Sequence, residues 1–313
     1  MGRVGIDIYP EQVGVELEDV TSFRKYLGGS ATNVAVAASR LGHRSAVITR
    51  TGDDPFGRFV HRALASFGVD DRWVGTVPHL LTPVVFCEIF PPDDFPLYFY
   101  RLPTAPDLEI SPDELDYDAI RAAEIFWVTL TGLSRSPSRE AQLAALEARG
   151  RDRTTVLDLD YRPMFWHDEA DATAQVAAAL PQVSVVVGNR EECRVAVGET
   201  EPEAAAKALH DAGVGLAVVK QGPAGVLGSR REPSGEEQVV VSPVPVEVVN
   251  GLGAGDAFGG ALVHGLLAGT DLRTTLTLAN AAGSYVAGQL SCADAMPTAE
   301  QLATYLEQNG PAR

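Results

Sequence analysis

The string Gly251-Leu252-Gly253-Ala254-Gly255-Asp256 combines small residues, a turn and the start of a helical pattern. Backbone amides at a helix N-terminus point outward and carry partial positive charge, so small residues there let an anion approach closely. The string is not a dinucleotide fingerprint, because Asp256 stands where its third glycine would fall, and no Gly-Lys-Ser/Thr follows to make a nucleotide-binding loop of the Walker kind. Asp256 would repel a phosphate but suits the other half of a phosphoryl transfer, taking the proton of an attacking hydroxyl. On pattern alone the same carboxylate also suits a helix's first turn. A second group, Gly28, Gly29 and Asn33, joins a freed backbone to an amide side chain near a helix start. Such groups can hydrogen-bond sugar hydroxyls or form an ordinary turn.

These residues need a scaffold, and the pattern supplies one. Asn33–Gly42 reads as a helix closed by its glycine, residues 45–52 as a strand, and 54–68 as a helix with Phe56, Phe59, Val60, Ala63, Leu64 and Phe67 on one face. A helix is expected near Pro112, strands at 124–130, 154–160, 183–189 and 216–222, and a helix over 138–150. Three helical patterns begin near Gly255, Leu272 and Thr298. Apolar strands alternating with helices predict an α/β fold with a mainly parallel sheet covered on both faces. Residues 8–27 and 74–103 break the rhythm with alternation and prolines, and are expected to form antiparallel strands and turns, a small flap. No internal repeat or low-complexity linker interrupts the 313 residues, so a single domain is expected.

A formal charge of −17 argues against nucleic acid or an anionic membrane as the main partner. Only three lysines occur, Lys25, Lys207 and Lys220, so arginine carries most of the positive charge. Cys87, Cys193 and Cys292 lie far apart with no metal-ligand spacing, as suits a reducing compartment. With no apolar run of membrane-spanning length and no leader pattern, a cytoplasmic location is expected.

Three stretches, Gly28–Gly42, Thr51–Gly57 and Gly251–Phe258, in this order and spacing, resemble the ribokinase (PfkB) family of carbohydrate kinases over essentially the whole chain. That resemblance implies a ribokinase-like three-layer α/β/α fold with a β-sheet lid, transfer of the γ-phosphoryl group of ATP to a sugar hydroxyl, and Mg2+. It implies Asp256 as catalytic base and the amides of Gly253, Ala254, Gly255 and Asp256 as anion hole. Asp7, Gly28, Gly29 and Asn33 match the sugar contacts. Asn189 and Glu192 match an N-x-x-E element tied indirectly to magnesium and phosphate. Lys220, Gly222, Gly225 and Asn280 match positions along the nucleotide. Each also has a plainer reading: a capped helix start at Asn189 and Glu192, a solvated strand end at Lys220, a turn at Gly225, an exposed helix residue at Asn280.

Residues 87–101, 158–166 and 185–192 are similar to the branch of this family that phosphorylates the 6-hydroxyl of 5-dehydro-2-deoxy-D-gluconate. A carboxylate substrate needs a fixed cation, best a guanidinium. Arg101 and Arg162 are the candidates; Arg101 could instead pair with Asp93 or Asp94, and Arg162 could be structural. 2-Keto-3-deoxygluconate and a fructokinase-like sugar stay open, as does a non-catalytic sensor on the same fold. A nicotinamide dehydrogenase is excluded, since no G-x-G-x-x-G follows the first strand. Asn250 stands where many relatives carry an acid, which puts a monovalent-cation site in doubt. The family's first strand starts several apolar residues earlier than Gly2, so either the start is misassigned or an edge of the central strand is missing, and the second case would weaken the sheet and loosen Asp7. Pairing of two copies through the lid is also implied.

Overall fold

The computed structural model describes residues 1–233 and 235–310. Strands β1 (Gly5–Pro10) and β2 (Phe23–Gly28) lead into helix α1 (Ser30–Arg40). Short strands β3 (Ser45–Ala46) and β4 (Thr49–Gly52) precede α2 (Pro55–Ser66). That helix starts where Asp54 accepts the Gly57 amide at 2.8 Å and Pro55 presets the first turn. Next come β5 (Val69–Asp70), β6 (Val74–Val77), β7 (Val84–Cys87) and β8 (Leu97–Tyr100). Helices and strands then alternate: α3 (Tyr117–Ala122), β9 (Ile125–Thr129), α4 (Ser138–Arg149), β10 (Thr154–Asp158), α5 (Glu169–Ala179) and β11 (Val185–Asn189). After α6 (Arg190–Val197), α7 (Pro202–Asp211) and β12 (Leu216–Lys220) comes a hairpin, β13 (Val226–Glu232) and β14 (Gly235–Val241). Three helices follow, α8 (Ala254–Ala268), α9 (Leu272–Ala287) and α10 (Ala299–Asn309).

Contacts divide the chain into two compact units. The first comprises Met1, Leu108–Pro243 and Gly269–Leu276. Its sheet has the order β14-β13-β12-β11-β10-β9, parallel from β9 to β12. Val156, Leu157, Val185 to Val187 and Leu216 to Val219 are buried, the continuous apolar runs that a doubly covered parallel sheet demands. The antiparallel hairpin was not expected, because its outer strand is mostly exposed and its residues are largely polar. Arg149 is also unanticipated. Its buried guanidinium donates to the carbonyls of Ile120, Arg121, Glu124 and Thr154, tying helix ends to strand ends.

The second unit comprises Gly2–Asp107, Val244–Ala268 and the chain from Thr277. Its four-stranded sheet runs β2-β1-β7-β8, with β1 parallel to β7 and the other two pairs antiparallel. Segment 45–52, expected as one strand, is two: β3 pairs with β5 and β4 with β6, so the chain changes ladder between them. Helices α1 and α8 pack closely, since a Cβ at Gly260 would fall 2.2 Å from the Ala37 Cβ. Among the described residues no helix is long and apolar enough to cross a membrane.

Candidate active site

The second unit gathers the acid, the amides and the glycines around α8 and β1. Gly253 adopts φ +80°, a left-handed turn that only glycine enters without strain, and α8 starts directly after it. Gly255 is exposed, and the first-turn amides have no acceptor one turn back within the helix; that of Ala254 reaches the Gly251 carbonyl at a long 3.4 Å. Asp256 lies in that first turn, half-buried. Asn33, on α1 and only 3% exposed, donates from Nδ2 to Asp256 Oδ2 at 2.8 Å. This bond between residues 223 apart fixes the carboxylate's rotation, and the sequence had suggested Asn33 only as a sugar contact. The Asn33 Oδ1 is buried with no protein partner, an acceptor left available in the same place.

Asp7 sits on β1, 7% exposed. Burial pushes its carboxyl above the ordinary value, while the Tyr9 hydroxyl, Arg3 and Cys292 pull it back. Tyr9 donates to Asp7 Oδ2 at 2.9 Å. Gly28 exists for this acid, because a Cβ there would fall 2.1 Å from Asp7 Oδ1. At Gly29, φ is +102° and a Cβ would meet the Arg3 carbonyl at 2.4 Å, so the turn into α1 requires glycine too. Tyr9 and Cys292 are the residues that sequence reasoning missed; an aromatic two positions after an acid carries no signal of its own.

Asn250 is fully buried in the loop before Gly253. Its Nδ2 donates to the Leu290 carbonyl at 2.7 Å and its Oδ1 accepts the Leu252 amide at 3.0 Å. Asn280 is half-buried on α9. Arg101 is buried and pairs with Asp107, at 2.9 and 3.1 Å. Asp93 and Asp94, the partners considered from sequence, lie exposed in a turn, whereas a buried guanidinium requires a buried carboxylate.

In the first unit, Asn189 and Glu192 form a reciprocal capping box at the start of α6. The Asn189 side chain accepts the Glu192 amide at 2.8 Å, and Glu192 accepts the Asn189 amide at 2.7 Å. Arg162 lies 2.9 Å from Asp160 and 3.9 Å from Glu192, and its Nε is buried without a partner. Lys220 ends β12 in register with Asn189 on β11. Gly222 (φ +56°) and Gly225 (φ +95°) shape the turn after it, and a Cβ at Gly225 would meet the Val241 carbonyl at 2.2 Å.

Among the described residues no group of three or more His, Cys, Asp or Glu could hold a metal ion. This composition fits Mg2+ held through substrate phosphates, water and at most a lone carboxylate, and does not fit an all-protein metal cage.

A family model described as pfkB family carbohydrate kinase matches residues 1–299. Curated relatives named 5-dehydro-2-deoxygluconokinase are 33% identical in Geobacillus kaustophilus, over 99% of this chain and 93% of the relative, and 35% identical in Photobacterium profundum, over 98% and 93%. A fructokinase from Vibrio cholerae, solved with fructose, ADP and calcium, superposes with a TM-score of 0.86 at 27% identity, covering 97% of each chain. An E. coli protein described as a ribokinase II, solved with ATP and Mg2+, gives 0.88 at 22% identity over 98% of each. The fold is therefore ribokinase-like.

Proposed function

The chain belongs to the pfkB family of carbohydrate kinases, and on that premise we propose that it transfers the γ-phosphoryl group of ATP to the 6-hydroxyl of 5-dehydro-2-deoxy-D-gluconate. The observation that carries the mechanism is the Asp256 carboxylate, held by Asn33 in the first turn of α8. Asp256 accepts the proton of the attacking hydroxyl. The amides of Gly253 to Asp256 stabilise the charge that develops on the migrating group. The charge of Asp256, out of place in a phosphate cradle, faces the other reactant.

Asp7 and the Asn33 Oδ1 accept hydrogen bonds from sugar hydroxyls, with Gly28 and Gly29 allowing close approach. Arg162 binds the sugar carboxylate, a role supported by its buried, unpartnered Nε. Arg101, already matched by Asp107, orders the segment after β8 and is the weaker candidate. Asn189, Glu192, Lys220, Gly222, Gly225 and Asn280 serve the nucleotide. Bound Mg2+ would neutralise phosphate charge, with Glu192 acting through water, since one of its oxygens already caps α6. A monovalent cation is not part of this reading, which is supported by the Asn250 amide donating to the Leu290 carbonyl, the kind of oxygen such an ion would take. The β2-β1-β7-β8 sheet, taken as the lid, carries Phe23, Phe86 and Tyr100 in edge-to-face contact with Phe23 and Tyr100 exposed, and supports pairing of two copies, which sedimentation would test.

The decisive experiment is an ADP-release assay over 5-dehydro-2-deoxygluconate, 2-keto-3-deoxygluconate, fructose and ribose. The sugar-acid reading expects the first to lead, and a clear preference for fructose or ribose sinks it. Asp256→Asn is expected to lower kcat by roughly 10²–10⁴-fold while sugar binding by calorimetry persists. Near-normal turnover in that variant would remove Asp256 as the base.

A further inference from the structure

Tyr9 is a 2%-exposed aromatic in a cluster with Tyr26, Cys87, Ile89 and Cys292. Phenylalanine would fill the same space, so the meaning of its hydroxyl lies in its two hydrogen bonds. One goes to Asp7 Oδ2 at 2.9 Å; the other joins Cys292 Sγ at 2.7 Å. A phenol has one proton, and an ionised carboxylate can only accept. The Tyr9 proton therefore goes to Asp7, and the Cys292 thiol donates to the Tyr9 oxygen. On its far side Cys292 abuts the phosphoryl loop: a Cβ at Gly253 would fall 2.7 Å from Sγ. Leu252 and Leu290 pack against the cluster from outside. A directed line thus runs from Gly253 through Cys292 and Tyr9 to Asp7, spanning residues 283 apart in sequence.

We propose that Tyr9 and Cys292 are positioning residues: they orient the Asp7 carboxylate toward the sugar and hold it in fixed relation to the loop that receives the phosphoryl group. The proposal rests on the reading of Asp7 as a sugar ligand. Neither residue touches substrate. Both act through Asp7 and Gly253, and the apolar cluster keeps water from competing for the two hydrogen bonds.

A pH profile separates this role from packing. Of the groups around Asp7, Tyr9 reaches it by a hydrogen bond, while Cys292, Arg3 and Cys87 lie close enough to shift it. Burial raises the Asp7 carboxyl and the Tyr9 hydroxyl lowers it, so loss of that hydroxyl moves it further up.

The test is steady-state kinetics on the full chain with 5-dehydro-2-deoxy-D-gluconate and ATP, comparing Tyr9→Phe, Cys292→Ser, Cys292→Ala and Asp7→Asn. A hydrogen bond to a charged acceptor predicts that Tyr9→Phe raises the sugar KM roughly tenfold or more. The KM for ATP stays put, and the acid limb of kcat/KM for the sugar moves to higher pH. Cys292→Ser, which keeps a donor, retains the wild-type limb, whereas Cys292→Ala shifts it partway. A role in packing alone would lower the melting temperature and leave the limb in place, and that result overturns the proposal. So does identical behaviour of the Ser and Ala variants. If Asp7→Asn raises the sugar KM and Tyr9→Phe does not, the relay falls and the sugar reading stands. If Asp7→Asn leaves the sugar KM unchanged, both fall.

Discussion

Asp7 sets function against stability. Its carboxyl is raised in the fold, chiefly by burial, so the folded chain holds that proton more tightly than the unfolded chain does. Stability from this group is therefore fully present below the ordinary value of 3.8 and is lost as pH rises through the higher folded value. An amide avoids that loss. Asp7→Asn is expected to melt at higher temperature than wild type at pH 7, with the gap closing as pH falls through the raised folded value and gone below about 4; equal melting at pH 7 would mean that Tyr9 and Arg3 fully offset the burial. Asn33 offers the complementary case. Asn33→Asp sets a second carboxylate 2.8 Å from Asp256, where two like charges cannot both ionise freely. The expected result is a lower kcat whose acid limb lies at higher pH, measured at saturating sugar. Asn33 was visible in the sequence as an amide beside glycines and Asp7 only through the family resemblance, and the partners of neither were visible. A hydrogen bond between side chains 223 positions apart leaves no mark in local spacing.

The helices that carry these groups were legible, because a 3.6-residue apolar period and a closing glycine are local properties. Helices α1, α2 and α8 to α10 all fall where the pattern put them. What the pattern lacked was partner choice. Residues 45–52 alternate like one strand, yet their two halves join different ladders, and the β13–β14 hairpin hid in a polar stretch because its outer face meets solvent. The contact of α1 with α8 belongs here too, since only the structure shows why Gly260 is glycine. Gly260→Ala would gain about 1 kcal/mol of helix propensity and lose about 1–3 kcal/mol to overpacking against Ala37. Net destabilisation is therefore expected in urea melts. Because the two helices hold Asn33 and Asp256, their separation should also cut kcat; a variant that is destabilised but keeps full kcat would show that the site tolerates helix displacement.

At the scale of the whole molecule the charge of −17 opposes the proposed chemistry, since both substrates are anions. A like-signed field slows encounter, and salt screens it, with a Debye length of about 10 Å at 0.1 M. The expected sign is thus the reverse of electrostatic steering. kcat/KM for the sugar acid and for ATP should rise on the order of twofold between 0.01 and 0.15 M salt, at constant free Mg2+. The counter-cation matters for a separate reason. With the Asn250 amide bound to the Leu290 carbonyl, potassium has no special oxygen to complete, so potassium, sodium and tetramethylammonium chlorides should give one superimposable curve. A rise confined to potassium would place a cation site in this loop and overturn the reading of Asn250. A fall in all three salts would show that local cations, Arg162 first, outweigh the global field. The two effects share one titration but part cleanly, because screening depends on ionic strength and ligation on the identity of the ion.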